Sequence, residues 1–464
     1  MKNKLINSLS WSAASTIIKA ILQLLQLIVV SRYFDSHELG VYAVANIFYL
    51  FIFILSESGL SSAVIYFKDA PKSQVRNVYT LNVMFSIFVA FIFFIISGPI
   101  SLLYENKDLH VILSFLSLLV VLRVISQTPL AILQRDMKFD YIAKIETVSF
   151  LSSFTTLVLM LQNDLGVLSI VIAFYVQAFI QVILVFIVVD RSYIRPMMPN
   201  VRKVKGFLRY GAFQTLENFL NYISSSSDSI LISYYLGLDK VGVYNYLKDI
   251  SMRISIQVIN PIFNRVFFPY IVSTKDIVIR KNNYLKLVSI TSLINFSLYS
   301  ILILNSELIL SLINNDWVQY ENLFCLIILY AMLLSLGNPL GVLVKATGRV
   351  ELGFYWNLAV SFIRPTVILS SISQGIETLL ISLIVSNIIV LLVHVKVMLR
   401  RMIDITTYEW LKVLLLPFAF NFIVLFISKL NLIPSYTVAF NLILSTIVAF
   451  ICFILTLRWK YQSA

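Results

Sequence analysis

Ten ionisable side chains interrupt otherwise apolar stretches of this chain: Lys19, Glu57, Arg123, Glu217, Asp228, Lys248, Asp249, Arg253, Arg265 and Arg364. A Lys, Arg or Asp near the centre of a membrane helix costs about 2.5 to 3.5 kcal/mol, so each needs water, a partner or a ligand. Six bases against four acids leave a surplus of two positive charges when every acid is paired. Such a cationic pocket suits phosphate or carboxylate, because Arg offers a fixed fork of donors and Lys a mobile point charge. Neutral polar residues extend the same surfaces. Ser12, Ser15, Thr16, Lys19, Gln23 and Gln26 recur 202 positions later as Gln214, Glu217, Asn218, Asn221, Ser225 and Asp228. Each set falls within an arc of about 100° on a helical wheel. A third stripe, Asp249, Arg253, Gln257, Asn260 and Asn264, spans about 80°. On membrane-length helices these faces must turn away from lipid, toward a bundle interior or a water-filled cavity. Lys19 and Arg253 fall near mid-depth, the first with Asn221 as its repeat counterpart, so the two copies differ in charge.

Plainer roles stand beside these. Asp249 and Arg253 are four apart and can pair along their own helix. Glu57 is a candidate bridge to Lys19, Arg265 a snorkelling anchor, and Arg123 and Arg364 donors to kinked backbone carbonyls. Glu57, Glu217, Asp228 and Asp249 each fit either an H⁺ or Na⁺ site or a partner for a nearby base. Tyr42, Tyr49, Tyr222, Tyr234, Tyr235, Tyr244 and Tyr246 border the stripes, where they can stack on sugars or serve as interfacial and packing residues. His37, His110 and His394 form no metal spacing, and Cys325 and Cys452 suggest neither a disulfide nor a metal site.

The elements that position these residues are membrane spans. The 464 residues are 59% apolar and 13% charged, with mean hydropathy +0.89, a composition foreign to soluble domains. Fourteen stretches are long enough to cross a bilayer: 9 to 30, 41 to 66, 78 to 103, 109 to 133, 145 to 162, 167 to 189, 207 to 236, 241 to 272, 286 to 304, 322 to 344, 354 to 373, 376 to 395, 412 to 428 and 437 to 457. Alternating the loops puts 26 of 36 basic residues on one side and 4 on the other. That bias explains the net charge of +13 without nucleic acid and makes both termini cytoplasmic. The dense cluster Arg191, Arg195, Arg202, Lys203, Lys205 and Arg209 lies between spans 6 and 7. The Lys-led N-terminus reads as a retained first span, since Lys19 and two Gln interrupt it.

The duplication sets the architecture. SRYFDSHELGVY (Ser31 to Tyr42) sits over SYYLGLDKVGVY (Ser233 to Tyr244), and PLAILQR (Pro129 to Arg135) over PLGVLVK (Pro339 to Lys345). Spans 1 to 6 and 7 to 12 are therefore two copies related by an axis along the membrane normal. The expected domains are 1–195, 196–400 and a peripheral pair of spans in 401–464. Ser224 to Ser227, Pro261 and Pro365 are expected bends. No phosphate-binding Gly-rich loop occurs, which argues against ATP hydrolysis.

Four stretches carry a family resemblance: Asp35 to Asp69, Pro129 to Phe139, Leu236 to Ile271 and Pro339 to Arg349. They resemble Wzx-type polysaccharide flippases of the multidrug/oligosaccharidyl-lipid/polysaccharide (MOP) exporter superfamily, closest in pattern to the colanic acid and teichuronic acid exporter subgroup. The resemblance implies an all-α polytopic fold with two six-helix lobes forming a V around a cationic cavity. It implies transport, without a cofactor, of undecaprenyl-diphosphate-linked oligosaccharide to the outer leaflet of a bacterial inner membrane, for O-antigen, capsule or exopolysaccharide. Basic cavity residues would hold the diphosphate or acidic sugars: Lys19 and Arg253, with Arg123 and Arg364, flanked by Gln23, Asn221 and Gln257. A polysaccharide polymerase and chain-length proteins are the expected partners, and a monomer the expected state. An ion-coupled small-molecule or drug exporter is the alternative; it would call for an acidic cavity. A polymerase or ligase would call for a large external loop, which the spacing of the spans does not leave room for.

Overall fold

The computed structural model describes residues 2–163, 165–260, 271, 274 and 276–429, with backbone alone for 2–17, 254, 257, 258, 345, 350, 416, 420 and 422–429. Asn264, Arg265, Cys452, the bend expected at Pro261 and the span expected at 437 to 457 lie outside the described residues, as does the side chain of Gln257. Packing divides the chain into two compact units, Met1–Asn245 and Tyr246–Ala464. The described residues form helices and connecting turns, with no strand among them.

The first unit contains α1 (Lys2–Tyr33), α2 (Ser36–Glu57), α3 (Leu60–Tyr66), α4 (Lys72–Leu103), α5 (Lys107–Arg135), α6 (Phe139–Leu161), α7 (Leu168–Val188), α8 (Lys205–Leu236) and the start of α9 (Leu238–Ile254). Local chemistry explains several starts. Asp35 accepts the Glu38 N–H at 2.8 Å while Glu38 accepts the Asp35 N–H at 3.3 Å, a reciprocal cap that opens α2. Asn106 caps α5 through the Leu109 N–H at 2.9 Å. α4 packs on α5, α6 on α7, α1 on α6, and α2 against both α5 and α8.

Two glycine contacts let backbones meet. A Cβ built on Gly40 would lie 2.1 Å from the Leu238 carbonyl oxygen. One built on Gly242 would lie 2.4 Å from the Ser36 carbonyl oxygen and 2.5 Å from the Gly40 nitrogen. These two glycines are the repeat partners of each other, 202 positions apart. The starts of α2 and α9 therefore cross at equivalent points of the duplicated sequence. At the far end of α2 the chain breaks at Ser58 and Gly59, both left-handed at φ 54° and 58°. A side chain on Gly59 would meet the Gly211 carbonyl oxygen of α8 at 2.5 Å. The fully buried Asn82 amide, turned so that its nitrogen faces the break, donates to the Ser56 and Glu57 carbonyls at 3.2 and 3.0 Å, satisfying groups the break releases. The stretch 41 to 66, expected as one span, is thus two helices.

The second unit contains the rest of α9 with a π turn at Ser255–Ile259, then α10 (Ile277–Leu304), α11 (Ser306–Ile313), α12 (Glu321–Ser335), α13 (Asn338–Ala346), α14 (Val350–Ser371), α15 (Ile376–His394), α16 (Arg400–Ile403) and α17 (Thr407–Lys429). α10 packs on α17 and α12, and α15 on α12 and α14. Tyr284, Leu287, Leu343 and Leu399 are buried in its core. The π turn ends two residues before Pro261 in the sequence. The expected span 322 to 344 divides into α12 and α13 before Pro339, a position in the first turn of α13 where proline is tolerated. Its sequence counterpart, Pro129, lies inside the unbroken α5. Pro365 lies inside α14 and Ser224 to Ser227 inside α8, neither of which is interrupted; Ser225 and Ser227 bond back to the Tyr222 and Ser224 carbonyls at 3.1 and 3.3 Å.

Among the described residues nine helical segments are long and apolar enough to cross a membrane, which makes this a multi-pass membrane protein. α8 is not one of the nine despite its 32 residues, because its polar stripe lowers its hydropathy. A membrane-length helix with that composition needs a wet face.

α17 starts with a half-buried ion pair that predicts a pH response. Ahead of the apolar run 412 to 428, Lys281 donates to the Glu409 carboxylate, with Nζ and Oε1 2.7 Å apart, and the Thr406 N–H donates to the same group at 2.9 Å. The lysine contact, then the backbone N–H, lower the Glu409 carboxyl from 4.5 to about 2. A depressed carboxyl contributes stability above its unfolded value and loses it as pH falls through the folded one. Melting temperature is therefore expected to be insensitive to this group above 4.5 and to fall between 4.5 and about 2. In Glu409→Gln that portion of the acid slope is absent, as thermal melts across pH would show.

Candidate functional site

The described residues of the polar stripes occupy helices as expected. On α8, Glu217, Asn221 and Ser225 are exposed, and Gln214 and Asn218 are half-buried, with the Gln214 amide donating to Asn218 at 3.2 Å. On α1, Lys19, Gln23 and Gln26 are half-buried. Uncovered polar surface on a membrane helix is suited to water or a polar partner rather than to lipid.

Lys19 pairs with Glu146 of α6, not with Glu57. Glu146 lies at the edge of the expected span 145 to 162, seven residues into α6. Glu146 is not among the ten intramembrane charges named from the sequence. Glu57 instead closes α2 at the Ser58–Gly59 break.

Arg123 of α5 is held by neutral groups. Its guanidinium donates to Gln177 at 2.8 Å and Gln181 at 3.4 Å, both on α7, and Tyr49 of α2 lies beside it. Its Nε is buried without a bond. These acceptors are amide oxygens rather than the backbone carbonyls considered from the sequence. Two glutamines four apart in the apolar run of α7 were the available signal, since that spacing places both on one helix face. No carboxylate is among its described partners.

Asp228 forms a compact buried cluster. Tyr244 donates to one carboxylate oxygen at 2.6 Å, and the Ser229 N–H donates to the other at 2.8 Å. Ser229 also donates through its hydroxyl to Asn245 at 2.6 Å, and Tyr104 and Ser233 share a hydrogen bond of 2.9 Å one turn further along α8. Asp228→Asn keeps one acceptor oxygen for the Tyr244 hydroxyl but turns an NH2 toward the Ser229 N–H, so a smaller loss is expected than for an apolar residue. Asp228→Leu leaves the Tyr244 hydroxyl and Ser229 N–H without that acceptor, an expected loss of about 1–3 kcal/mol on thermal unfolding.

In the second unit Arg253 donates to Asp249 at 2.5 Å, the intrahelical pair. Asp249 is exposed, while Arg253 keeps its Nε buried and unbonded immediately before the π turn. Arg364 is half-buried on α14. Between α14 and α15 lies a groove of about 630 Å³ lined by Trp356, Ile363, Ile389 and other mainly aliphatic residues; it offers contact for hydrocarbon and no ionic chemistry.

Most of the bordering tyrosines are structural. Tyr222 donates to the Ile47 carbonyl at 2.5 Å, Tyr49 stacks on Phe174, Tyr246 packs on Trp317, and Tyr244 serves Asp228. Tyr234 and Tyr235 remain exposed. Among the described residues no group of three His, Cys, Asp or Glu is placed to hold a metal ion.

The described residues, helical throughout with membrane-length helices and intramembrane charges on a repeated sequence, define a multi-pass helical membrane protein, and known structures share its fold. The fold matches "Lipid II flippase MurJ, inward closed conformation" with a TM-score of 0.75 at 15% identity, over 97% of this chain and 99% of that one. It matches a MATE structure, "Crystal structure of MATE in complex with MaD5", with a TM-score of 0.58 at 11% identity over 89% and 96% of the two chains. Residues 29–321 match the family described as polysaccharide biosynthesis protein, and the chain belongs to that family. The chain is 26% identical over 440 residues to the lipopolysaccharide biosynthesis protein WzxC of Escherichia coli (strain K12), covering 94% of this chain and 88% of the relative. It is 25% identical to the teichuronic acid biosynthesis protein TuaB of Bacillus subtilis (strain 168), covering 80% and 77%. The Wzx-type resemblance read from the motifs is borne out.

Proposed function

We propose that this protein is a flippase that moves an undecaprenyl-diphosphate-linked oligosaccharide from the cytoplasmic to the outer leaflet of a bacterial inner membrane by alternating access. Both termini are then cytoplasmic, and the protein is a transporter rather than an enzyme. The observation that carries the reading is a guanidinium with no carboxylate among its described partners, Arg123, inside a family member whose whole fold matches a lipid flippase. Lys19, Arg253 and Arg364 are assigned with it to the diphosphate and acidic sugars, with Gln23, Asn221 and Gln257 to neutral hydroxyls. Asp228, with Glu57, Glu217 and Asp249 as the other acids, is assigned to a coupling ion, H⁺ or Na⁺; no other cofactor is invoked. The product passes to a polysaccharide polymerase with its chain-length proteins, and the flippase works as a monomer.

The test is leaflet transfer of a lipid-diphosphate oligosaccharide by purified protein in liposomes, with drug-like cations as controls. Transfer of the saccharide lipid alone is expected. Cation transport without lipid transfer would establish the ion-coupled exporter instead. Arg253→Ala is expected to lower transfer at least tenfold with normal protein levels, since a charge-assisted phosphate contact is worth roughly 1.5–3 kcal/mol. Unchanged transfer would remove Arg253 from the diphosphate.

A further inference from the structure

The segment joining α7 to α8 carries Arg191, Arg195, Arg202, Lys203, Lys205 and Arg209 and, after Asp190, no acid before α8 is under way. All six bases are exposed, and none forms an ion pair among the described residues. Charge bias across a membrane accounts for their side but not for their arrangement.

The segment is a rigid strap. Asp190 is bridged to Lys72 at 2.8 Å, and the Arg76 guanidinium donates to the Pro196 carbonyl at 3.2 Å. Asn77 and Asn200 exchange two hydrogen bonds of 2.7 and 2.9 Å, and the Met197 N–H donates to Thr80 at 3.3 Å. Ile194 and Val204 are buried in the core beside Val75 and Val78. The opposite face is apolar in the wrong place for water: Met198 is 92% exposed and Val201 56% exposed. Tyr66, also exposed, stacks on Tyr210 at 4.8 Å at the start of α8. Exposed tyrosines at helix ends mark the headgroup level of a bilayer. Bases around outward-facing apolar residues, at that level, form a surface whose complement is a phosphate plane above hydrocarbon.

We infer that the strap 190–209 is a docking surface for anionic phospholipid headgroups, with Met198 and Val201 inserted at the acyl boundary and Arg195, Arg202 and Lys203 on the phosphates. The strap holds the ends of α4 and α8 at a fixed depth and makes their position depend on leaflet charge. This is separate from cargo binding: the strap would bind headgroups whatever the protein transports, so failure of one reading leaves the other standing.

The test uses full-length protein with a polarity-sensitive fluorophore on Met198→Cys, with Cys325 and Cys452 replaced by serine. In phosphatidylcholine vesicles containing phosphatidylglycerol the emission is expected to shift to the blue relative to phosphatidylcholine alone, and salt is expected to reverse the shift. Arg195→Gln/Arg202→Gln/Lys203→Gln should weaken phosphatidylglycerol binding, measured by titration in detergent, on the order of a hundredfold, from about 1 kcal/mol per charge near an anionic surface. Emission identical in both vesicle types would overturn the inference, as would equal phosphatidylglycerol affinity in wild type and triple variant. Were the triple variant misfolded, the salt and lipid titration of the labelled single variant decides alone.

Discussion

Gly40→Ala and Gly242→Ala each lower the thermal stability of the protein sharply, while Gly98→Ala leaves it nearly unchanged. The Cβ of the first would sit 2.1 Å from the Leu238 carbonyl oxygen and that of the second 2.4 Å from the Ser36 carbonyl oxygen. Both obstacles are backbone, which cannot rotate aside, so α2 and α9 must separate at their starts. Overpacking costs about 1–3 kcal/mol where side chains can adjust, and the upper end of that range is expected here. Gly98 meets nothing within 4 Å and serves as the control, expected within about 0.5 kcal/mol of wild type. Equal melting temperatures for the three variants in detergent would show that the two helix starts do not make this close crossing in the folded protein. Because the crossing joins equivalent points of the duplicated sequence, it is also expected to be needed for transport, and a variant rescued in stability would report that separately.

Lys19→Met is the second large effect, and its partner tells apart two roles. The substitution strands Glu146 without its cation on a membrane helix. Breaking a buried pair costs about 3–5 kcal/mol, whereas replacing both partners with apolar residues is often neutral. Here the side chains are 27% and 36% exposed, so a smaller loss, about 1–3 kcal/mol, is expected. Lys19→Met/Glu146→Met should regain the stability. If Lys19 holds the diphosphate, the double variant is as stable as wild type but still fails to transfer the saccharide lipid. Recovery of both stability and transfer would assign the pair to structure alone.

These partners mark the limit of what could be read before the fold was known. Helical periodicity located the stripes on α1, α8 and α9, because 3.6 residues per turn converts spacing directly into a face. Asp249 and Arg253 were legible as a pair for the same reason, being one turn apart on one helix. Lys19 and Glu146 are separated by 127 residues, and nothing in either local sequence names the other. Arg123 likewise finds its glutamines 54 and 58 residues away. The break at Ser58–Gly59 is marked in the sequence only by the short polar run Ser56 to Gly59, since hydropathy averaged over 41 to 66 reports the transfer of side chains and not the left-handed backbone that turns α2 into α3.

Composition and the 202-residue repeat were by themselves enough to indicate a multi-pass helical protein of repeated sequence with ionisable residues along polar helix faces. Hydrophobic length and helical period are local quantities, and the bilayer penalises every violation of them, so the sequence states them openly. Which charge neutralises which, which glycine must stay bare and how the α7–α8 strap turns its bases outward were decided only by tertiary structure. Each depends on a distance of a few ångströms between helices remote in sequence, where packing rather than period sets the outcome.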